Sequence, residues 1–176
     1  MNEYIVTYIG RKVYPLDPDP DTICIEDIAH ALSNKCRFGG HTRCFYSVAQ
    51  HSIIVSIHAP FPLHGLLHDA AEAYLCDLAS TIKPAFSEFK HAEFILMEAI
   101  YARFDLPDLL PNDKVILKAL DLAALRLEWE ALINNPENHS IGVDLSHVPR
   151  LSFQLAGFWN PIEAERVFLK RFHELH

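Results

Sequence analysis

Ionisable side chains inside apolar helical runs constrain the fold of this chain more than any other feature of its sequence. Asp121 lies among leucines and alanines in the segment Lys118–Leu125, and His68 and Asp69 follow a pair of leucines. A buried charge is costly unless it is paired or bound to a metal, and an unpaired carboxylate on a buried helix would cost several kcal/mol. The fold must therefore bring partners to these side chains from elsewhere in the sequence.

Periodic apolar positions and helix-end signals predict a mostly helical chain. The apolar residues at positions 25, 28, 29 and 32 have a helical period. Ser47 followed by Gln50 is a capping-box signature, and Asn160 before Pro161 is a typical helix start. The predicted helices cover residues 25–32, 47–59, 63–75, 89–104 and 112–133, and a terminal segment that starts at 160.

The N-terminal segment has a different pattern. Tyr4–Tyr14 is rich in β-formers and is interrupted by Gly10, so it predicts a short hairpin. The prolines of segment 15–20 predict a rigid connection, and the polar segment 134–150 predicts a long loop. A chain of 176 residues is expected to form one domain, here residues 1–176. The predicted fold class is all-α with a small N-terminal β-hairpin.

Composition narrows the range of partners. The formal net charge is -8, which argues against binding to nucleic acid or to an anionic membrane. The N-terminus lacks the pattern of a signal peptide, and no apolar run approaches the roughly 20 residues of a membrane span. The four cysteines form no CxxC pair, which favours a reduced, cytoplasmic setting.

The ionisable residues of the apolar runs have the chemistry of a metal site. Two imidazoles (His51 and His68) and two carboxylates (Asp69 and Asp121) can hold one divalent ion and leave positions open for water and substrate. Such nitrogen and oxygen ligands suit Mn, Co, Fe, Zn or Mg. Glu72 lies four residues after His68 on the same predicted helix face, where it can act on a water molecule. This set is typical of a hydrolase and points to phosphate-ester chemistry.

Asp121 has an alternative interpretation. Its carboxylate can instead form a buried ion pair with an arginine such as Arg126 or Arg11. Arg126 and Glu128, which follow Asp121 on the same predicted helix, are interpreted as surface or interface charges.

The spaced motif resembles the H…HD…D signature of the HD-domain phosphohydrolase superfamily. Residues 23–132 are most similar to the bacterial 5'-deoxynucleotidases and their phage relatives. The matching elements are Val48-Ala49-Gln50-His51-Ser52, the segment 68–78 read as HD-A-x-E-x-x-x-x-D, Asp121 and Lys83-Pro84. Tyr4–Tyr14 and Asn34–His41 look more like a prophage-encoded branch. The resemblance implies an HD-domain helical bundle that forms a homo-oligomer, a dimer or larger.

The resemblance also implies residue roles. The metal ligands would be His51, His68, Asp69 and Asp121, with one divalent ion per subunit. Glu72 would orient or deprotonate water, and Asp77 would protonate the leaving oxygen. Arg37 and Lys83 would bind phosphate. Phe38 would stack on the base or sugar, or else belong to the core, and Arg43 is a further phosphate candidate. The implied substrate is a 2'-deoxynucleotide, either a deoxynucleoside monophosphate or a triphosphate such as dATP.

Two other functions remain open from the sequence. An HD-domain phosphodiesterase for cyclic nucleotides would need a second metal, with His41 or His64 as an additional ligand. His64 lies four residues before His68, and His41 lies in a Gly-Gly loop. The other alternative is a non-catalytic nucleotide-binding protein, which the presence of both Glu72 and Asp77 disfavours.

Overall fold

The structure is a computed structural model that describes residues 3–79, 81–138, 142–146, 148, 150–151 and 157–176. The described part is mostly helical, and its helices are α1 (Ile25–Asn34), α2 (Val48–His58), α3 (Pro62–Leu67), α4 (Ser87–Arg103), α5 (Pro111–Leu132) and α6 (Pro161–Leu175). The predicted all-α class with a small hairpin is confirmed. The ends of α4 and α5 differ from the predicted bounds by two residues or fewer. No described helix has the length and apolar character needed to cross a membrane.

The predicted hairpin is present and is attached to α1. Strand β1 (Ile5–Val6) pairs antiparallel with β2 (Lys12–Val13), in a register that places Ile5 opposite Val13. Gly10 has φ +86°, a conformation that side chains rarely adopt, and so it permits the turn. The buried Asp27 of α1 accepts a hydrogen bond from the backbone N–H of Ile9 at 2.9 Å.

Helix α2 lies at the centre of the fold. Every residue from Val48 to Ser56 is buried, and α2 packs against α1, α3, α5 and α6. Its buried polar residues, Gln50, His51, Ser52 and Ser56, therefore lie inside the fold rather than on a solvent-facing side of the helix. The side chain of Ser47 accepts a hydrogen bond from the Gln50 backbone N–H at 3.1 Å, which confirms the predicted cap.

The predicted helix 63–75 is wrong in its second half. Helix α3 ends at Leu67, and Asp69 leaves the helical region with φ −105° and ψ 15°. A 3₁₀ turn over Ala70–Ala73 follows. The Lys35 ammonium stabilises this tighter turn, because it donates hydrogen bonds to the carbonyls of Glu72 and Leu75. Apolar periodicity cannot distinguish an α-helix from a 3₁₀ turn over so few residues.

A glycine allows α3 to approach α2 closely. A Cβ atom added to Gly65 would lie 2.9 Å from the Cα of Ser56. The Ser56 hydroxyl donates to the carbonyl of Pro62 at 2.7 Å, and Arg171 of α6 donates to the same hydroxyl at 3.1 Å. These contacts place the end of α3, and therefore His68, beside α2.

Helix α5 also packs against α2. Its Ala124 and Leu132 belong to a second apolar cluster with Tyr46, Ile54 and Val55. The segment predicted as a long loop contains a short 3₁₀ turn at Pro136–Asn138 and turns beyond it, while residues 139–141, 147 and 149 lie outside the described part.

Candidate metal centre

All four predicted ligands meet at one place, contributed by α2, the turn after α3, and α5. The Nε2 atoms of His51 and His68 are 3.3 Å apart. Asp69 Oδ2 lies 3.2 Å from the Nε2 of His68 and 3.7 Å from that of His51. The ligand atoms of these three residues all lie within 4.8 Å of one another, so the group could hold a metal ion. Asp121 Oδ1 lies 3.2 Å from His51 Nε2 and 3.8 Å from His68 Nε2.

The hydrogen bonds behind the two imidazoles fix which nitrogen faces the cluster. His68 Nδ1 lies 2.8 Å from the carbonyl of Gly65, and His51 Nδ1 lies 2.7 Å from Glu128 Oε1. Because a carbonyl and a carboxylate only accept, each Nδ1 donates. In the neutral imidazoles the lone pairs are therefore on the two Nε2 atoms, which face each other. A shared cation between them satisfies both lone pairs, so the donor set fits a divalent metal.

The charges of the cluster stabilise one another. Burial opposes charge on His68, but the carboxylates of Asp69 and Asp121 outweigh it and raise the pKa of His68 well above its usual value. Burial likewise opposes ionisation of Asp121, but hydrogen bonds from His51 and His68 hold its pKa well below the usual range. The site therefore favours positive charge between ionised carboxylates, which either protons or a metal ion can supply.

Glu72 is a buried carboxyl next to this cluster. The residue is 5% exposed, and no described group forms a hydrogen bond with its Oε2. Burial, with the negative charges of Asp69 and Asp77 adding to it, raises the pKa of Glu72 to about 9. Such a carboxyl can hold or take up a proton near neutral pH. Asp77 is exposed, in the segment that follows the 3₁₀ turn.

Arg37 lies at the site but is not free. One guanidinium nitrogen is 3.2 Å from Glu128 Oε2 and the other is 3.7 Å from Asp69 Oδ2. Burial opposes its charge, but the carboxylates of Glu128 and Asp69 outweigh burial and raise its pKa. Its Nε is buried and has no partner among the described groups. Arg37 can therefore offer part of its donor set to an anion at the metal centre.

The other substrate contacts predicted from the sequence are less clearly placed. Lys83 forms an ion pair with Glu93 at 2.7 Å, although its charge also lowers the pKa of Glu72. Phe38 has φ 54°, and its ring lies 6.1 Å from that of Trp129 at the edge of the second apolar cluster. This position favours the core interpretation of Phe38. Arg43 donates to the carbonyl of Ala131 at the end of α5.

His64 and His41, the possible ligands of a second metal, do not belong to the group of described residues that could hold a metal ion. His64 is buried, and its Nε2 donates to the carbonyl of Pro107 at 2.9 Å. His41 is exposed in its loop. Within the described residues, the group of His51, His68 and Asp69 is the one that meets the geometry of a metal site.

Neither arginine proposed as an ion-pair partner of Asp121 takes that role. Arg11 donates to the carbonyl of Asp21 at 3.2 Å, and Arg126 donates to the carbonyl of Val148 at 2.7 Å. Lys118, which sequence reasoning missed, instead lies 2.6 Å from Asp121 Oδ2. Its spacing of three residues on one helix was the available signal.

The interpretation of Glu128 as a surface or interface charge is wrong. Glu128 is fully buried, and it accepts hydrogen bonds from His51, Tyr46 and Arg37. The available signal was its position seven residues after Asp121, because two helical turns return a side chain to the same face. Burial opposes ionisation of Glu128, but His51 and Arg37 outweigh it and lower its pKa.

The fold and this cluster define a mainly helical protein with a candidate His/Asp metal centre. The chain is 33% identical over 174 residues to Uncharacterized protein YfdR of Escherichia coli K12, over 98% of this chain and 95% of the relative. It is 35% identical over 174 residues to Uncharacterized protein RCAP_rcc00048 of Rhodobacter capsulatus, over 92% of this chain and 76% of that protein. The chain belongs to the family of YfdR and RCAP_rcc00048, whose names state no activity. No protein-family model matches it.

Proposed function

We propose that this protein is a metal-dependent phosphohydrolase that acts on 2'-deoxynucleotides. The observation that carries the proposal is the pair of Nε2 atoms of His51 and His68, which face each other 3.3 Å apart between two carboxylates. The ligands suit one divalent ion per subunit, of Co, Mn, Zn, Fe or Mg.

The residues around the centre have complementary tasks in such a reaction. A bound divalent ion would polarise the phosphoryl oxygens and lower the pKa of water. Without a metal the raised pKa keeps Glu72 protonated, but a bound divalent cation would favour its carboxylate form. In that form its buried Oε2, which has no hydrogen-bond partner among the described groups, could accept a proton from the attacking water. The water oxygen bonds to phosphorus as the bond from phosphorus to the leaving oxygen breaks, and Asp77 delivers a proton to that oxygen. Arg37 neutralises part of the phosphate charge.

The choice of a deoxynucleotide rests on the resemblance of the spaced motif to the 5'-deoxynucleotidases. Both a monophosphate and a triphosphate remain within the proposal. The same resemblance favours a homo-oligomer, and the four unpaired cysteines favour a cytoplasmic setting.

Chromatographic analysis of the products formed from dNMP, dNTP, NMP and cyclic nucleotides, each with several divalent metals, tests the proposal. We expect hydrolysis of at least one deoxynucleotide, with orthophosphate as the product from dNMP and tripolyphosphate as the product from dNTP. Glu72→Gln and Asp77→Asn should retain metal but lose about 10²–10⁴-fold in turnover. Hydrolysis of cyclic nucleotides alone would contradict the proposal and favour a phosphodiesterase. Hydrolysis of none, with metal bound, would favour a nucleotide-binding protein.

A further inference from the structure

We propose that Glu128 is a positioning residue that orients a metal ligand and the phosphate-binding arginine through the two oxygens of one buried carboxylate. This inference rests on the proposed metal centre. Glu128 lies two turns after Asp121 on α5, so the same helix face supplies a metal ligand and the group that holds its neighbours.

The hydrogen bonds divide between the two oxygens. Oε1 lies 2.7 Å from His51 Nδ1 and 3.0 Å from the Tyr46 hydroxyl. Oε2 lies 3.2 Å from one nitrogen of the Arg37 guanidinium. All three neighbours can donate a hydrogen bond, and the guanidinium has donors but no acceptor. A carboxylate accepts from all three at once, whereas a primary amide would have to direct its NH₂ group at one of these donors.

The hydrogen bond from His51 Nδ1 to Glu128 Oε1 determines which nitrogen of His51 carries the proton and which faces the metal centre. Because Nδ1 donates to Glu128, the lone pair of the neutral imidazole is on Nε2, which faces His68 and Asp121. A buried partner that fixes the tautomer and the ring orientation of a histidine ligand strengthens its bond to a metal. Without this acceptor, the proton of His51 can move to Nε2, where it would oppose metal binding.

The bond to Oε2 leaves the rest of Arg37 available to the site. The second terminal nitrogen is 3.7 Å from Asp69 Oδ2, and the side chain is only 12% exposed. The guanidinium is therefore anchored at one end by Glu128 and points the other end toward a metal ligand. One carboxylate thus links the geometry of the metal to that of the anion-binding group.

Replacement of Glu128 by Gln tests the inference through metal affinity rather than through activity. The purified metal-free protein is titrated with Co²⁺ or Zn²⁺ at one fixed pH, and helicity and the unfolding temperature are recorded beside the Kd. We expect Glu128→Gln to weaken metal binding by about 10- to 100-fold while the protein stays folded. Glu130→Gln is the matched control, since it removes an exposed charge on α5 that pairs with the exposed Arg150 and should leave the Kd unchanged.

The outcomes separate this inference from the proposed function. Metal binding by Glu128→Gln as tight as by the wild type would overturn the role of Glu128 and leave the metal centre intact. Failure of the wild type to bind any divalent ion would overturn both. If Glu128→Gln does not fold, histidine ¹⁵N NMR of the zinc-loaded wild type decides. His51 must coordinate through Nε2 and keep a hydrogen-bonded proton on Nδ1, and coordination through Nδ1 would overturn the inference.

Discussion

Glu72 is a carboxyl that the folded protein holds protonated where the unfolded chain would ionise it. Its pKa rises from an ordinary value of 4.5 to about 9 because of burial and the charges of Asp69 and Asp77. Between these two pKa values the folded state binds more protons at Glu72 than the unfolded state does. The contribution of Glu72 to stability is therefore present below the lower value and decreases as pH rises toward the higher one.

Glu72→Gln should remove this pH-dependent loss of stability. In metal-free protein we expect the difference in Tm between the variant and the wild type to grow in favour of the variant from about pH 5 to pH 9. A gain of 1 kcal/mol would correspond to roughly 2–4 °C for a chain of this size. Thermal unfolding followed by circular dichroism at several pH values measures it. A Tm difference that does not change with pH would mean that Glu72 ionises normally in the fold.

Replacing Lys118 and replacing Asp121 should change the metal affinity in opposite directions. The ammonium of Lys118 lies 2.6 Å from Asp121 Oδ2 and is 68% exposed, so it opposes a second cation only weakly. We expect Lys118→Met to tighten metal binding by about 1.4- to 5-fold, an effect that salt reduces. Asp121→Asn should weaken binding strongly, because it removes a ligand. Lys114→Met, on an exposed position one turn earlier, is the control. Weaker metal binding by Lys118→Met would refute this electrostatic argument.

The four predicted metal ligands could be found from the sequence, whereas Glu128 could not. His51, His68, Asp69 and Asp121 were predictable because charged groups in apolar runs need partners, and their side chains do meet. Glu128 escaped this reasoning because a single glutamate near the end of a helix looks like an ordinary surface charge. Its donors, Tyr46, His51 and Arg37, are between 77 and 91 residues away in the sequence, and no local pattern brings them together.

At the scale of elements, the site depends on how closely α3 approaches α2. The predicted helices were mostly correct because their caps and apolar periods are local signals. The turn at His68–Ala73 was not predictable, because it is closed by Lys35, far away in the sequence. The wrong helix assignment did not change which ligands were predicted. In the structure, the hydrogen bond from His68 to the Gly65 carbonyl orients the His68 ring.

Gly65→Ala tests this close approach. The added methyl would lie 2.9 Å from backbone of α2, so the helices must separate. We expect a loss of about 1–3 kcal/mol in the free energy of unfolding, and weaker metal binding, because His68 moves away from His51. Chemical denaturation and metal titration measure the two effects. In Gly10→Ala, the positive φ of the hairpin costs about 1–2 kcal/mol, but the metal Kd should not change. An unchanged metal Kd in Gly65→Ala would show that the α2–α3 distance does not control the site.

At the scale of the whole molecule, the two ends of the sequence pack together. Helix α1 packs against α6, and His30 of α1 lies 2.9 Å from Glu165 of α6. The main apolar core includes residues from Val13 to Phe172. The single domain predicted over residues 1–176 stays a prediction, which an unfolding experiment can test.

A metal ion held by α2, the turn after α3, and α5 should stabilise this unit as a whole. At a free concentration 100 times its Kd, a ligand that binds only the folded state adds about 2.7 kcal/mol to the free energy of unfolding. We expect metal to raise the Tm of the wild type, a chelator to reverse the rise, and Asp121→Asn to show little of this rise.

The chain has two tryptophans, Trp129 in α5 and Trp159 just before α6. If the chain is one domain, tryptophan fluorescence and circular dichroism should report the same transition with and without metal. Two separate transitions, only one of them shifted by metal, would show instead that the ligand-bearing helices unfold apart from the terminal ones.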